Sequence, residues 1–267
     1  MFTDTHCHLN FKTFQSDLPE VIERAWEAGL TRILIPGTNL ETSQQAIRLA
    51  EKNPGIYASV GIHPNDISIW DKETQHGLRD LCRHPKVLAV GEIGLDYYRD
   101  RTPRPIQMEV FREQLEIAAE FQKPVILHSR QAFHDLWPML AAWQEDLERS
   151  GSQLANRAGV LHSFEGNRDD AAEAFRHHFF LGISGPVTYL NAVNRQETVA
   201  AIGPEKMLLE TDAPFLTPHP FRGHRNEPAY VTTIAKKVAD LCNREINTIA
   251  SMTSDNAEYL FAWRNSS

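Results

Sequence analysis

Short apolar runs recur along the chain, each separated from the next by a longer stretch whose apolar positions fall every three to four residues. The runs at 32–36, 56–61, 87–91, 124–127, 159–161, 179–183 and 206–209 show no polar alternation, as expected of strands covered on both faces. The stretches at 18–28, 41–52, 72–82, 105–121, 131–143, 169–177 and 192–202 read as helices, the first stopped by Gly29. Residues 148–158 read as irregular. With Phe2-Thr3-Asp4-Thr5-His6-Cys7-His8 as the first strand, the pattern gives eight strands alternating with helices, followed by helices at 229–242 and 245–261 expected to pack outside. Eight such units with buried strands predict an α/β fold, a TIM-type (β/α)8 barrel with additional C-terminal helices, forming one domain over residues 1–267. No repeat, low-complexity tract or Gly/Ser linker divides the chain.

Composition narrows the class. Hydrophobic residues make up 42% of the chain, but no apolar run approaches the ~20 residues of a membrane span, so no membrane association is expected. Histidines of ligand type begin at position 6 and leave no room for a cleaved signal peptide, which makes the cytoplasm the expected location. Cys7, Cys82 and Cys242 are odd in number and lack C-x-x-C spacing, which argues against a disulfide framework or a thiolate zinc site. Lys and Arg number 27 against 35 Asp and Glu, a formal charge of −8 that repels a polyanion at long range. Overall charge therefore argues against a nonspecific nucleic-acid coat and leaves room for an enzyme holding phosphate locally through metal and a few arginines.

The ionisable residues give the strongest signal. His6 and His8, two apart on a strand, share a face and offer two imidazoles to one divalent ion. His63 follows the third strand, Glu92 the fourth, His128 the fifth, His162 the sixth and Asp212 the eighth. All stand at carboxyl ends, which in a barrel converge on the face where active sites are built. Five of the 12 histidines occupy these few positions, and buried imidazoles and carboxylates are costly unless they coordinate or pair.

The wording around these residues is recognisable. Asp4-Thr5-His6-Cys7-His8, Gly61-Ile62-His63-Pro64, Gly91-Glu92-Ile93-Gly94-Leu95-Asp96-Tyr97, Pro124-Val125-Ile126-Leu127-His128-Ser129-Arg130 and Glu210-Thr211-Asp212-Ala213-Pro214 resemble segments of the TatD family of metal-dependent deoxyribonucleases, within the amidohydrolase superfamily. Arg222-Gly223-His224-Arg225-Asn226-Glu227-Pro228 resembles that family's segment after the last barrel strand. Three positions depart from the pattern: Gln131 stands where Asp is frequent, His134 where an acid is common and Ser163 where Cys is frequent.

The resemblance implies a site for two divalent ions, zinc, manganese or magnesium. One would be held by His6, His8, Glu92 and Asp212, the other by Glu92, His128 and His162, with Glu92 bridging. Two ions ~4 Å apart lower the pKa of a water and stabilise charge on both oxygens of an in-line displacement. Asp212 is then the candidate general base and Glu92 the shared ligand. The expected reaction is exonucleolytic hydrolysis of a phosphodiester at single-stranded DNA ends, with no membrane and no obligate protein partner. Ester hydrolysis of D-aminoacyl transfer RNA at the same site is an alternative, and a non-catalytic metal-binding protein a third. Many hydrolases of cyclic amides carry a carboxylated lysine at the bridging position, where this chain has Glu92.

For substrate contacts, Arg130 and Arg222 offer planar forks suited to phosphate, as do Arg99, Arg101, Arg104 and Arg225. Surface charge or ion pairs with Asp96 and Asp100 would equally account for the arginines. His63 would touch phosphate or orient a ligand, and Tyr97 or Tyr98 would stack on a base or pack within the loop. Asn226-Glu227-Pro228 precedes a helical pattern and suggests a cap.

Overall fold

Eight strands, β1 (Phe2–Asp4), β2 (Leu30–Pro36), β3 (Ile56–Val60), β4 (Val87–Asp96), β5 (Val125–Arg130), β6 (Gly159–Leu161), β7 (Phe179–Ile183) and β8 (Met207–Leu209), pair in chain order, every pair parallel. This computed structural model describes residues 1–99 and 101–263. Asp100, a possible arginine partner, therefore lies outside the described residues. Seven helices connect successive strands: α1 (Leu18–Glu27), α2 (Leu40–Lys52), α3 (Lys72–Cys82), α4 (Arg104–Glu120), α5 (Phe133–Arg149), α6 (Arg168–Arg176) and α7 (Val193–Ile202). Asn39, Asp71 and Asn167 start α2, α3 and α6 by accepting first-turn N–H groups, each cap worth about 1 kcal/mol.

The barrel closes between β1 and β8 through residues just beyond those strands' carboxyl ends. Thr5 N donates to Leu209 O at 3.0 Å, Asp212 N to His6 O at 2.8 Å and His8 N to Ala213 O at 2.7 Å. Barrel closure and placement of three of the expected metal ligands are thus the same set of bonds.

Two apolar layers follow from the period of a strand. Ile33 and Ile35 pack outward into the large cluster shared with the helices, whereas Leu34 joins Leu88, Ile126, Val160, Phe180 and Leu208 on the inner face. The inner cluster is sealed by Leu260, Phe261 and Trp263, at and beyond the end of α9 (Ile246–Phe261), which follows α8 (Val231–Cys242). The last helix therefore plugs the end of the barrel opposite the strand carboxyl ends, rather than only packing outside. Burying one such side chain contributes about 1.5–3 kcal/mol, so this layer offsets the cost of polar groups buried at the other end.

Four features differ from the sequence pattern. β1 ends at Asp4, short of the expected His8, so His6 and His8 follow the strand and only Cys7 between them bridges to Ala213. β4 does not stop at Gly91 but continues, fully buried, to Asp96, so that Glu92 lies within the strand. Gly94 makes this possible: its φ is +142°, and a Cβ there would meet His128 O of β5 at 2.0 Å. α5 runs past the expected end at Trp143 to Arg149 because Gln144 and Leu147 continue the buried face of Leu140 and Trp143, while Gln131, at φ +54°, cannot begin it. Finally, Asn226 is not a helix cap: its Nδ2 donates to Thr211 O and Phe215 O, and Glu227 pairs with Arg24.

Candidate metal centre

At the carboxyl ends, imidazole nitrogens and carboxylate oxygens face one another. His6 Nε2 lies 3.2 Å from His8 Nε2, 3.5 Å from Glu92 Oε2 and 3.7 Å from Asp212 Oδ1. His8 Nε2 is 3.5 Å from Asp212 Oδ1, so the two imidazoles, which follow β1 on either side of the Cys7 bridge to Ala213, share that carboxylate. Glu92 uses its other oxygen towards β5 and the loop after β3: Oε1 is 3.0 Å from His128 Nδ1 and 3.6 Å from His63 Nε2. His162 stacks on His6, with ring centroids 3.6 Å apart, and points Nε2 at Asp212 Oδ1 across 3.7 Å.

Among the described residues, three groups bring a donor atom from each member to within 4.8 Å of the others: His6 with His8 and Asp212, His6 with Glu92 and His162, and His63 with Glu92 and His128. Glu92 belongs to two of them. In the division implied by resemblance, His162 shares an ion with His128; the structure instead groups His162 with His6, and His63 with His128. The donor chemistry fits divalent ions: imidazole nitrogens and carboxylate oxygens, mostly buried, from residue types that ligate such ions.

The electrostatics carry the same message. Burial opposes charge on Glu92, yet His63, His128 and His6 hold it well below the usual carboxylate range. Burial likewise opposes an anionic Asp212, but His162, His8 and His6 bring it below its ordinary value. Burial is overcome at His128 by Asp96 and Glu92, which raise it to about 9, and at His162 by Glu210 and Asp212, which raise it to about 10. Burial lowers His63 to about 3, and also lowers His6, where His162 adds to the effect. An incoming cation thus replaces protons on His128 and His162, a substitution that any ligand imidazole must undergo.

Three carboxylates support these donors. Asp96 Oδ2 is 3.3 Å from His128 Nε2 and accepts from Asn65 Nδ2, while its Oδ1 accepts from Tyr98 N and Arg99 N. Glu210 Oε1 is 2.9 Å from His162 Nδ1. Asp4 accepts from His6 N at 3.2 Å, Thr211 N at 2.9 Å and Thr211 Oγ1, and burial, against those bonds, raises it to about 8. None is read from sequence as a partner of a ligand, Asp96 only as a partner for arginines, although each stands two or four residues from a predicted ligand. The period-two rule that joined His6 to His8 would have found them. Asp4→Ala should strand three donors, each costing about 1–3 kcal/mol, and weaken zinc binding by roughly 10–100-fold by freeing His6 from Thr211. Thermal melting and metal titration check the two effects separately.

The centre forms the floor of a cavity of about 580 Å³. Arg99, Arg101 and Arg130 line it, as do His63 and Phe215, and the Arg130 guanidinium sits 3.9 Å above the Tyr98 ring. Other predicted substrate contacts lie outside that lining. Tyr97 donates its hydroxyl to Asp135 and lies under Arg104, so it packs within the loop. Arg222 covers Tyr189 at 4.3 Å, and Arg225 forms a two-pronged pair with Asp17.

A parallel eight-stranded barrel with divalent-ion donors at its carboxyl ends defines the class of metal-dependent barrel hydrolases. A family model described as TatD related DNase matches residues 3–262. The uncharacterized metal-dependent hydrolase YabD of Bacillus subtilis is 42% identical over 261 residues, covering 98% of this chain and 99% of that protein. The 3'-5' ssDNA/RNA exonuclease TatD of Citrobacter rodentium is 36% identical over 263 residues, covering 97% of each. The crystal structure of YjjV, a TatD homologue of Escherichia coli K12, superposes with a TM-score of 0.90 at 31% identity over 98% of both chains. The chain belongs to the TatD-related DNase family of metal-dependent hydrolases.

Proposed function

We propose that this centre hydrolyses phosphodiester bonds at the ends of single-stranded nucleic acid, DNA foremost, in the cytoplasm. The observation that carries the reading is the cavity's two-tier chemistry: divalent-ion donors sharing Glu92 on the floor, and Arg99, Arg101 and Arg130 above them. The names of the TatD relatives, exonucleases of ssDNA and RNA, favour it over ester hydrolysis.

His6, His8, Glu92, Asp212, His128 and His162 would hold two ions, with His63 as a further donor beside Glu92 and His128. Bound there, divalent ions would lower the pKa of a water and stabilise charge on a phosphodiester's oxygens. The chain's own groups do the rest. The forks of Arg99, Arg101 and Arg130, which line the same cavity, hold the non-bridging phosphate oxygens. Asp212, anionic at neutral pH, receives the proton on its carboxylate. Histidine-rich donors favour zinc or manganese over magnesium, which prefers oxygen. No helix among the described residues is long and apolar enough to cross a membrane, and Cys7, Cys82 and Cys242 are unpaired.

The test is end-labelled single-stranded DNA and RNA, incubated with metal-stripped protein resupplied separately with Mg, Mn or Zn. Stepwise shortening from one end, restored by an added ion and abolished by chelation, is the expected result. Intact strands under every ion overturn the reading.

A further inference from the structure

Part of the catalytic cavity's lining is aromatic, and it has a second side. Phe11 and Phe215 line both the metal-floored cavity and a neighbouring one of about 730 Å³, which Lys12 and Gln45 also line. Phe11 stacks on the His8 ring at 4.5 Å, and Phe215 meets Phe11 edge-on at 6.1 Å. The partition between the cavities is therefore only one ring removed from a metal donor.

Phe215 is 51% exposed, an unfavourable setting for a phenyl ring, yet its backbone is tightly held. Its N–H donates to Asp212 O at 2.8 Å, and its carbonyl accepts from the fully buried amide of Asn226 at 2.6 Å. The same Asn226 Nδ2 donates to Thr211 O, tying the loop to the residue before Asp212. Arg225 then joins this loop to the segment carrying Phe11 by donating to Thr13 O and to Asp17. Buried polar groups thus fix the backbone that carries this solvent-facing ring relative to the candidate base. Core packing does not require this, since the ring is not in the core.

Resting on the nuclease reading above, we propose that Phe11 and Phe215 are a stacking platform for the nucleobase next to the scissile phosphate. The second cavity takes the strand as it continues away from the metals. Stacking suits every base because every base has a π-face, and it suits a single strand because only unpaired bases present that face. Lys12, exposed beside the platform, supplies positive charge for the following phosphate; Glu41, the carboxylate lining that cavity, accepts from Gln45. The lining divides the work: arginines take phosphate and phenyl rings take base.

The test is a double cycle on the full chain loaded with manganese, combining Phe215→Ala with removal of single bases from the strand. Fluorescence anisotropy measures binding of labelled phosphorothioate oligodeoxynucleotides in which each base near the cleaved end is deleted in turn. One deletion should weaken binding to the wild type on the order of tenfold and have no effect on F215A, while Phe215→Tyr keeps the penalty. Identical deletion penalties in wild type and F215A at every position overturn the platform, whatever the cleavage assay gives. A wild type that shows the coupled penalty but shortens no strand overturns the nuclease reading and leaves the platform standing. A wild type that binds no strand overturns both.

Discussion

Replacing Glu92 by alanine is expected to abolish hydrolysis and to reduce metal content. Glu92 is the one carboxylate in two of the donor groups, with one oxygen 3.5 Å from His6 and the other 3.0 Å from His128. Losing a partner that only orients a ligand costs about 10–100-fold in affinity or activity, so losing a shared ligand should exceed the upper end of that range. The folded barrel should survive, because the inner cluster around Leu34, Ile126 and Trp263 lies at the opposite end. Elemental analysis after metal loading, with turnover on a labelled strand and circular dichroism, separates lost metal from lost fold. Full metal content with undiminished turnover would remove Glu92 from the centre.

Asp212→Asn should be nearly as damaging for a different reason. The amide matches the carboxylate in shape and keeps an oxygen near His6, His8 and His162, but it cannot take up a proton at neutral pH. Loss of a general base typically costs 10²–10⁴-fold, so kcat should fall by about that factor while the remaining donors retain metal. The measurement is kcat together with metal stoichiometry for the same preparation. Retained turnover with metal bound would take the base role away from Asp212, and loss of metal would make it chiefly a ligand.

Much of this centre is legible in the amino-acid sequence. The His6-x-His8 pair, Glu92, His128, His162 and Asp212 all stand where apolar runs end, and the fold brings all of them together. Side chains on a strand have a fixed two-residue period, so their facing can be read locally. The arginines and tyrosines of the loops are less legible. Tyr97, Arg222 and Arg225 are as plausible as Arg130 in sequence, but a loop imposes no such period. Their directions are set by Asp135, Tyr189 and Asp17, none of which is adjacent in the chain.

The chain's own alternation of buried strands and amphipathic helices was enough for the barrel and for placing the donors on one of its ends, because both follow from local periodicity and strand polarity. Tertiary structure alone decided which donors stand together. Asp212 meets His6 because the barrel closes there, through bonds between residues more than two hundred positions apart. That closure also tied Asp4 to Thr211 and brought Phe11 and Phe215 to a common wall. Local pattern says which way a side chain faces; only the closing of the barrel says what it faces.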